Sequence, residues 1–511
     1  MIAWLQRNRT SVRLAFGLGL ASRIASVALS LFWSRLLLHT MGDALNGLFI
    51  AFQGVARLGG LGDFGTGGAV GLRAGQMLGK GDETKLQIFL ANARSALLTL
   101  GGAVLVILLA LSPWLPNWLR FGPVAGAGSL TILFVVGAFS AALLVVGVYF
   151  YNLNYAHGTV LWPVLPAFIL TQLSLGSHWL LARAHFPLWV QYLPYLAVAV
   201  ASVLLAKKML DWSHPWLGRL IPLRCDGPEW KFLFTSSGWV YLCGLGNLIY
   251  TTTDRVLINA VFGSAILPKY YYNYKLCELA VIVVVTASSV SMPKITQWLA
   301  DRDESKQKRA AAEINRLNQF QIVLGCAAAF VYLAANDWFV RLWLGAGYHA
   351  PAAWQAAFAL NLAITAGGDA GIQVAGRCGT NGIRAAGMAI AAAGLLNLAL
   401  AIVAAKLHSI TGIASATVVA QSCLNVALAI YVCRHLGLSV LRWIAKSLLL
   451  PLLAVLAAAG LKTIFPDESF LRLCELSGCY AALLLLVAWL AGINRELLRS
   501  EWAIVRSMLK A

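Results

Sequence analysis

Trp33-Ser34-Arg35-Leu36-Leu37-Leu38-His39-Thr40-Met41-Gly42-Asp43-Ala44-Leu45-Asn46-Gly47-Leu48-Phe49 opens the stretch that decides the fold. It runs on through an apolar segment carrying Arg57 and Asp63, and closes with Leu78-Gly79-Lys80-Gly81-Asp82-Glu83-Thr84-Lys85. A shadow of it returns later in the chain at a constant offset. Gly42 maps onto Gly263, Arg73 onto Lys294, and Asp82-Glu83-Thr84-Lys85 onto Asp303-Glu304-Ser305-Lys306. Arg120 maps onto Arg341, with Trp118 facing Phe339. Self-similarity at a fixed spacing is the mark of an internal duplication.

Composition sets the solvent. The 511 residues are 60% hydrophobic and 12% charged, with mean hydropathy +0.75. A soluble domain is about 25% charged, and a soluble chain this apolar would expose large sticky patches. Apolar runs of spanning length, about 20 residues, recur from end to end. The 39 Lys and Arg against 20 Asp and Glu sit between these runs, where membrane topology puts them. The excess therefore speaks for a membrane and against a nucleic-acid partner. The nine cysteines form no CxxC or Cys/His pattern, so no metal is expected. Arg23 interrupts the first run and no small-x-small cleavage site follows, so that run reads as a retained first helix.

About fourteen runs reach spanning length, from Val12–Leu38 and Asn46–Leu72 to Val440–Thr463 and Cys474–Ile493. With the amino terminus in the cytoplasm, Lys and Arg favour the inner side by roughly three to one, which predicts both termini inside. The repeat offset covers six helices, an even number, so the two halves face the same way. The expected fold is an all-α polytopic membrane protein with about 14 transmembrane helices: two parallel six-helix repeats plus a C-terminal helix pair. The expected boundaries are residues 1–206 for the first bundle, 207–231 for a cytoplasmic linker containing Pro215, Pro222 and Pro228, 232–435 for the second bundle and 436–511 for the appendix. A site is expected between the halves, as in other repeat transporters.

Charges at mid-membrane are costly and mark function. Arg23 lies on one helix face with Gly19, Ser26, Ser30 and Ser34, at a depth of roughly 17 Å. Helix two repeats the design with Asn46, Gln53, Arg57 and Gly60. Helix seven offers Asn247, Thr251, Asp254 and Arg255. Helix eight offers Tyr271, Tyr274, Lys275 and Glu278. Arg23, Arg57, Arg255, Gln53, Asn247 and Thr251 are the expected substrate-binding set. Asp63, Asp254, Glu278 and Asp369 are the acids that could couple an ion. The simpler role for Asp63 is to neutralise an arginine, and Lys275 and Glu278, three apart, could pair locally. The glycines of 59–68 and 367–371 suit close helix packing. No phosphate loop, HExxH or serine elbow and no soluble nucleotide-binding domain is present, so an enzyme and a bound cofactor are not expected.

These residues resemble a known family. R-L-L-L-x-x-M-G-x-x-x-N-G-L-F from Arg35, L-x-x-L-G-D-F-G from Leu58 and A-V-G-L-R from Ala69 are similar to the first two helices of polysaccharide-biosynthesis flippases, in the multidrug/oligosaccharidyl-lipid/polysaccharide exporter superfamily. T-T-D-R-V-L-I-N-A-V-F-G from Thr252, Y-Y-Y-N-Y-K-L from Tyr270, R-L-W-L-G-A-G-Y from Arg341, G-L-L-N-L-A-L from Gly394 and H-S-I-T-G-I-A-S-A-T from His408 follow in the family's order. The resemblance implies a transporter that moves an undecaprenyl-pyrophosphate-linked oligosaccharide across the bacterial inner membrane for O-antigen or exopolysaccharide synthesis. It implies alternating access around a cationic cavity, with membrane lipid and polysaccharide polymerase machinery as partners. Arg23 and Arg57 match cavity arginines of the related lipid II flippases by helix and depth; Arg255 is a looser match. Asn46-Gly47 stands where Tyr-Gly is usual. Arg23-Ile24 stands where lipid II flippases carry Arg-Asp, which counts against a peptidoglycan role. Two alternatives remain: a multidrug/cation antiporter of the same superfamily, which would want deep acids, and an integral-membrane glycan polymerase or ligase, which would want a longer outer loop than residues 113–128 or 336–351 supply.

Overall fold

The computed structural model describes residues 12–80, 83–118, 127–156, 161–213, 223–289, 295, 298–299, 303–464 and 470–492. They are helical almost throughout, and no strand occurs among them. In order the helices are α1 Val12–Gly59, α2 Thr66–Lys80, α3 Glu83–Leu111, α4 Ala127–Ala156, α5 Leu161–Arg183, α6 Leu188–Ser213, α7 Gly227–Phe262, α8 Leu267–Ser289, α9 Glu304–Leu344, α10 Ala352–Ala375, α11 Gly379–Lys406, α12 Ile410–Leu436, α13 Val440–Ile464 and α14 Phe470–Ala491. Seven of them are long and apolar enough to cross a membrane by length and composition alone, α9 among them. The chain is an all-α polytopic membrane protein.

Local sequence explains the breaks. α1 is two helices joined at Gly42, whose φ of 72° and ψ of 172° no L-residue adopts easily. Gly263, its partner in the repeat, ends α7 with φ 88° and ψ 160°. The two glycines thus share a backbone conformation as well as a register, which is independent support for the duplication. Helix two breaks again after Gly59: a short 3₁₀ turn, Gly60–Asp63, and positive φ at Phe64 and Gly65 precede α2. In the second half, Asp303 caps α9 by accepting from Ser305 N at 2.9 Å. Ser409 caps α12 through Gly412 N at 3.0 Å, and Gly437 ends that helix in the left-handed region.

The chain forms two compact units, residues 1–268 and 269–511. In the first, α4 packs between α3 and α6, and α5 lies against α1 and α6. Its core joins Val70, Phe89, Leu90, Leu97, Val145, Leu153, Leu210 and Leu233. Helix α7 belongs to this unit and packs on α1, α2 and α3. Its start is clasped to α3. Asn92, fully buried, donates to Asp226 Oδ2 at 2.9 Å and accepts from Asp226 N at 2.7 Å. α6 continues to Ser213 and α7 begins at Gly227, both inside the stretch expected as a linker.

In the second unit, α10 lies between α9 and α12, α11 pairs with α12, α13 packs on α9 and α10, and α14 packs on α9 and α13. Small residues permit the close approach: a Cβ on Gly325 would come within 2.5 Å of Ala366 Cβ. The C-terminal pair is fastened by polar contacts at both ends. Lys462 Nζ donates to Asp337 Oδ2 at 2.8 Å and to Gln355 Oε1 at 2.7 Å. Lys446 Nζ donates to Ala491 O at 2.8 Å, on the last turn of α14.

Candidate functional site

Arg23 and Arg57 both lie on α1, on opposite sides of the Gly42 break. Their side chains lie outside the described residues. Of the remaining expected binding set, Arg255 packs against α1 at Gly54, next in sequence to Gln53. Gln53 is half-buried on α1. Its neighbour Gly54 faces Arg255 of α7: a Cβ at 54 would lie 3.8 Å from Arg255 Cβ and 3.9 Å from its Cδ. The guanidinium stem thus crosses helix two where that helix is thinnest. Arg255 is 3% exposed and Asp254 7%, so this charged pair of residues is inside the protein. A buried charge of this kind is retained only with compensating interactions. Thr251, one turn before Arg255, is half-buried and its hydroxyl donates to Leu248 O at 3.3 Å. Asn247, two turns before Arg255, is exposed.

The four acids fall into different surroundings. Asp63 folds back on its own chain: Oδ1 accepts from Gly65 N at 3.1 Å and Oδ2 from Gly67 N at 3.2 Å. It thereby supplies acceptors for the free amides at the start of α2. The adjoining Phe64 ring lies 4.7 Å from that of Tyr241 on α7. Glu278 is half-buried on α8, where Lys275 Nζ lies 5.6 Å from the Tyr271 ring. Asp254 neighbours Arg255. Asp369, on α10, is 8% exposed, and its Oδ2 accepts from Gln321 Nε2 of α9 at 2.7 Å and from Gln373 Nε2.

Several polar contacts carry no motif and escaped the sequence reading. The Asn92–Asp226 clasp is one, and the Lys462–Asp337–Gln355 knot is another. His178, fully buried on α5, is a third: it sits 3.0 Å from Tyr195 Oη and 3.2 Å from Gln191 Oε1. Gln191 Nε2 donates to Phe186 O at 2.7 Å, which leaves its oxygen to face the ring. His178 therefore donates through Nε2 and accepts from Tyr195 through Nδ1, the neutral tautomer. The only signal available was a polar residue inside an apolar run. Among the described residues, no group of three or more His, Cys, Asp or Glu is placed to hold a metal ion.

No protein-family model matches the sequence, and a search of curated proteins finds no match. Solved structures do match. The chain superposes on an inward closed conformation of the lipid II flippase MurJ with TM-score 0.63 at 15% identity, covering 93% of this chain and 97% of that one. It superposes on an inward-facing multidrug resistance transporter of the MATE family, within the MOP superfamily, with TM-score 0.63 at 12% identity, covering 84% and 95%. A MOP superfamily transporter from Pyrococcus furiosus, described by the reverse polarity of its binding pocket, gives 0.55 at 11%, covering 84% and 96%. The chain shares its fold with these lipid II flippase and multidrug transporter structures.

Proposed function

We propose that the chain is a flippase for an undecaprenyl-pyrophosphate-linked oligosaccharide, working by alternating access in the bacterial inner membrane, with both termini cytoplasmic. The observation that carries this reading is Arg255. Its buried side chain lies against Gly54 of the helix that also bears Arg57. Such positive charge suits an anionic headgroup, which must cross about 30 Å of hydrocarbon. An arginine fork suits the diphosphate, because it binds phosphate oxygens in pairs. The extent of the fold match agrees: 93% of the chain is covered by the lipid flippase against 84% by the multidrug transporter, as two helices beyond twelve would give. On this reading Arg23, Arg57 and Arg255 hold the diphosphate, while Gln53, Asn247 and Thr251 meet sugar hydroxyls.

The test is deletion of the gene followed by analysis of lipid-linked glycans. A lipid-linked oligosaccharide should accumulate on the cytoplasmic side. Wild type should clear it, and the Arg23→Ala/Arg57→Ala protein should not. Unchanged glycolipid with altered sensitivity to cationic dyes would overturn the proposal and favour a multidrug antiporter, a reading for which the buried Asp254 and Asp369 speak.

A further inference from the structure

Helix α5 packs closely on α6 but scarcely meets α4, although all three belong to the first unit. Pro166 stands inside α5, where its missing amide removes a ladder hydrogen bond and its ring favours a kink. The gap between α4 and α5 is a groove offering about 200 Å³ of open space. Its floor is Ser202, Leu205 and Met209 of α6, and its walls are Tyr151 of α4 and Pro166 and Leu170 of α5. Apart from Ser202 and the Tyr151 hydroxyl, these side chains are hydrocarbon. Nearby on the same helices, Ile169, Leu173 and Leu204 are 48%, 59% and 61% exposed. Large apolar side chains left exposed in a membrane protein face lipid, so the groove opens to the bilayer and not to water.

The groove has a direction. Leu205, Met209 and Trp212 follow one another at helical spacing, so they form one stripe of α6. The stripe leads from the groove to the end of the helix at Ser213. There Trp212 is 49% exposed, and Lys208 Nζ lies 5.4 Å from the centre of its ring. An exposed tryptophan beside a lysine at a helix end is the chemistry of the membrane–water interface. Lys207, the other cation of this turn, is paired with Asp211 at 2.8 Å. Lys208 has no acidic partner among the described residues. An apolar slot open to lipid thus ends beside one uncompensated positive charge at headgroup level. We propose that the groove between α4 and α5 binds one anionic phospholipid, with a hydrocarbon chain on Leu205 and Met209 and the headgroup phosphate on Lys208. The space is smaller than the roughly 300–1,000 Å³ of a site for a drug-sized ligand; it suits part of a single chain whose remainder stays in the bilayer. The lone cation selects a headgroup of net negative charge over a zwitterion, whose own ammonium already balances its phosphate. This goes beyond the flippase reading and stands without it.

The experiment is native mass spectrometry of the purified full-length protein in detergent, titrated separately with a phosphatidylglycerol and a phosphatidylethanolamine of identical chains. The expected result is one phosphatidylglycerol per chain held about fivefold more tightly than phosphatidylethanolamine, as about 1 kcal/mol per lysine near an anionic headgroup implies. Lys208→Ala should bring the two lipids level. Ala167→Phe, which puts a ring into the α5 wall of the groove, should weaken both. Both positions are exposed, so neither substitution disturbs the core, and a monodisperse gel-filtration peak checks that each variant is folded. Equal retention of the two lipids by wild type, a preference that persists in Lys208→Ala, or binding untouched by Ala167→Phe would overturn the proposal. So would retention of undecaprenyl phosphate in place of phosphatidylglycerol, which would give the groove to a carrier lipid. A protein that holds phosphatidylglycerol yet fails the glycolipid test would lose the flippase assignment and keep the site.

Discussion

Replacing Gly47 with alanine should destabilise the protein although alanine is the better helix former. Gly47 lies within the second helical part of α1, where its φ is not positive, so alanine there would ordinarily gain about 0.5–1 kcal/mol. The obstacle is the turn between α7 and α8. A Cβ at position 47 would stand 1.7 Å from the Ser264 carbonyl oxygen, 2.7 Å from its carbon and 3.1 Å from Pro268 Cδ. The first two are backbone atoms that no rotamer change can move, and 1.7 Å is far inside the 3.0 Å that real Cβ contacts respect. Helix two must back away by more than an ångström, at a cost of about 1–3 kcal/mol or more from overpacking. Set against the propensity gain, that leaves a net loss of about 1 kcal/mol or more. Gly102, in the middle of α3, is the control: a Cβ there meets nothing within 4 Å, so Gly102→Ala should be neutral or stabilising. The assay is thermal unfolding of the two variants and wild type in one detergent at one scan rate, because such unfolding is commonly irreversible. If both alanines move the midpoint by the same amount in the same direction, the close approach of helix two to the α7–α8 turn is wrong.

Other outcomes follow from the same geometry. Asn92→Ala removes both hydrogen bonds of the α3–α7 clasp and Asp226→Ala only the one to its carboxylate, so a double-mutant cycle isolates that side-chain bond and should give a coupling of about 1–2 kcal/mol; additive effects would refute it. Lys462→Met should destabilise by about 1–3 kcal/mol, since it leaves the mostly buried Asp337 carboxylate, 22% exposed, with one partner fewer. The Lys462→Met/Asp337→Leu pair should recover most of that loss. Burial pushes the Cys378 thiol, between α10 and α11, up to about 11, so its reactive thiolate is scarce at neutral pH and appears only as pH rises through that value. Maleimide at pH 7 should therefore label the exposed Cys225 far faster than Cys378, and the gap should narrow toward pH 11. Both should react from the cytoplasmic side only, in inverted vesicles and not in spheroplasts; labelling from outside would overturn the expected orientation.

Composition and period settled the broad fold because a bilayer permits few solutions. With no water to satisfy backbone amides in the hydrocarbon, long apolar runs must be helices, and the described part of each run is largely helical, the second being split between α1 and α2 by the turn Gly60–Asp63. The duplication was legible too, since Gly42 and Gly263 answer the same steric demand with a positive φ. The sequence also marked Arg255 and Asp369 as charges that an apolar segment would not carry without cause. It could not rank the four acids. Asp63 and Asp369 look alike in the sequence, yet one accepts from the amides two and four residues ahead and the other accepts from a glutamine of another helix. Gln321 carried no signal at all, because an amide inside a helix pattern has no motif. Nor could the sequence place α7, whose contacts with α1, α2 and α3 rest on the Asn92–Asp226 clasp and on the Gly65 backbone at Ser237 and Tyr241. Helices and their limits follow from local chemistry and the solvent. Which helix meets which, and so which buried polar atom finds a partner, depends on residues far apart in the chain, and only tertiary packing decides it.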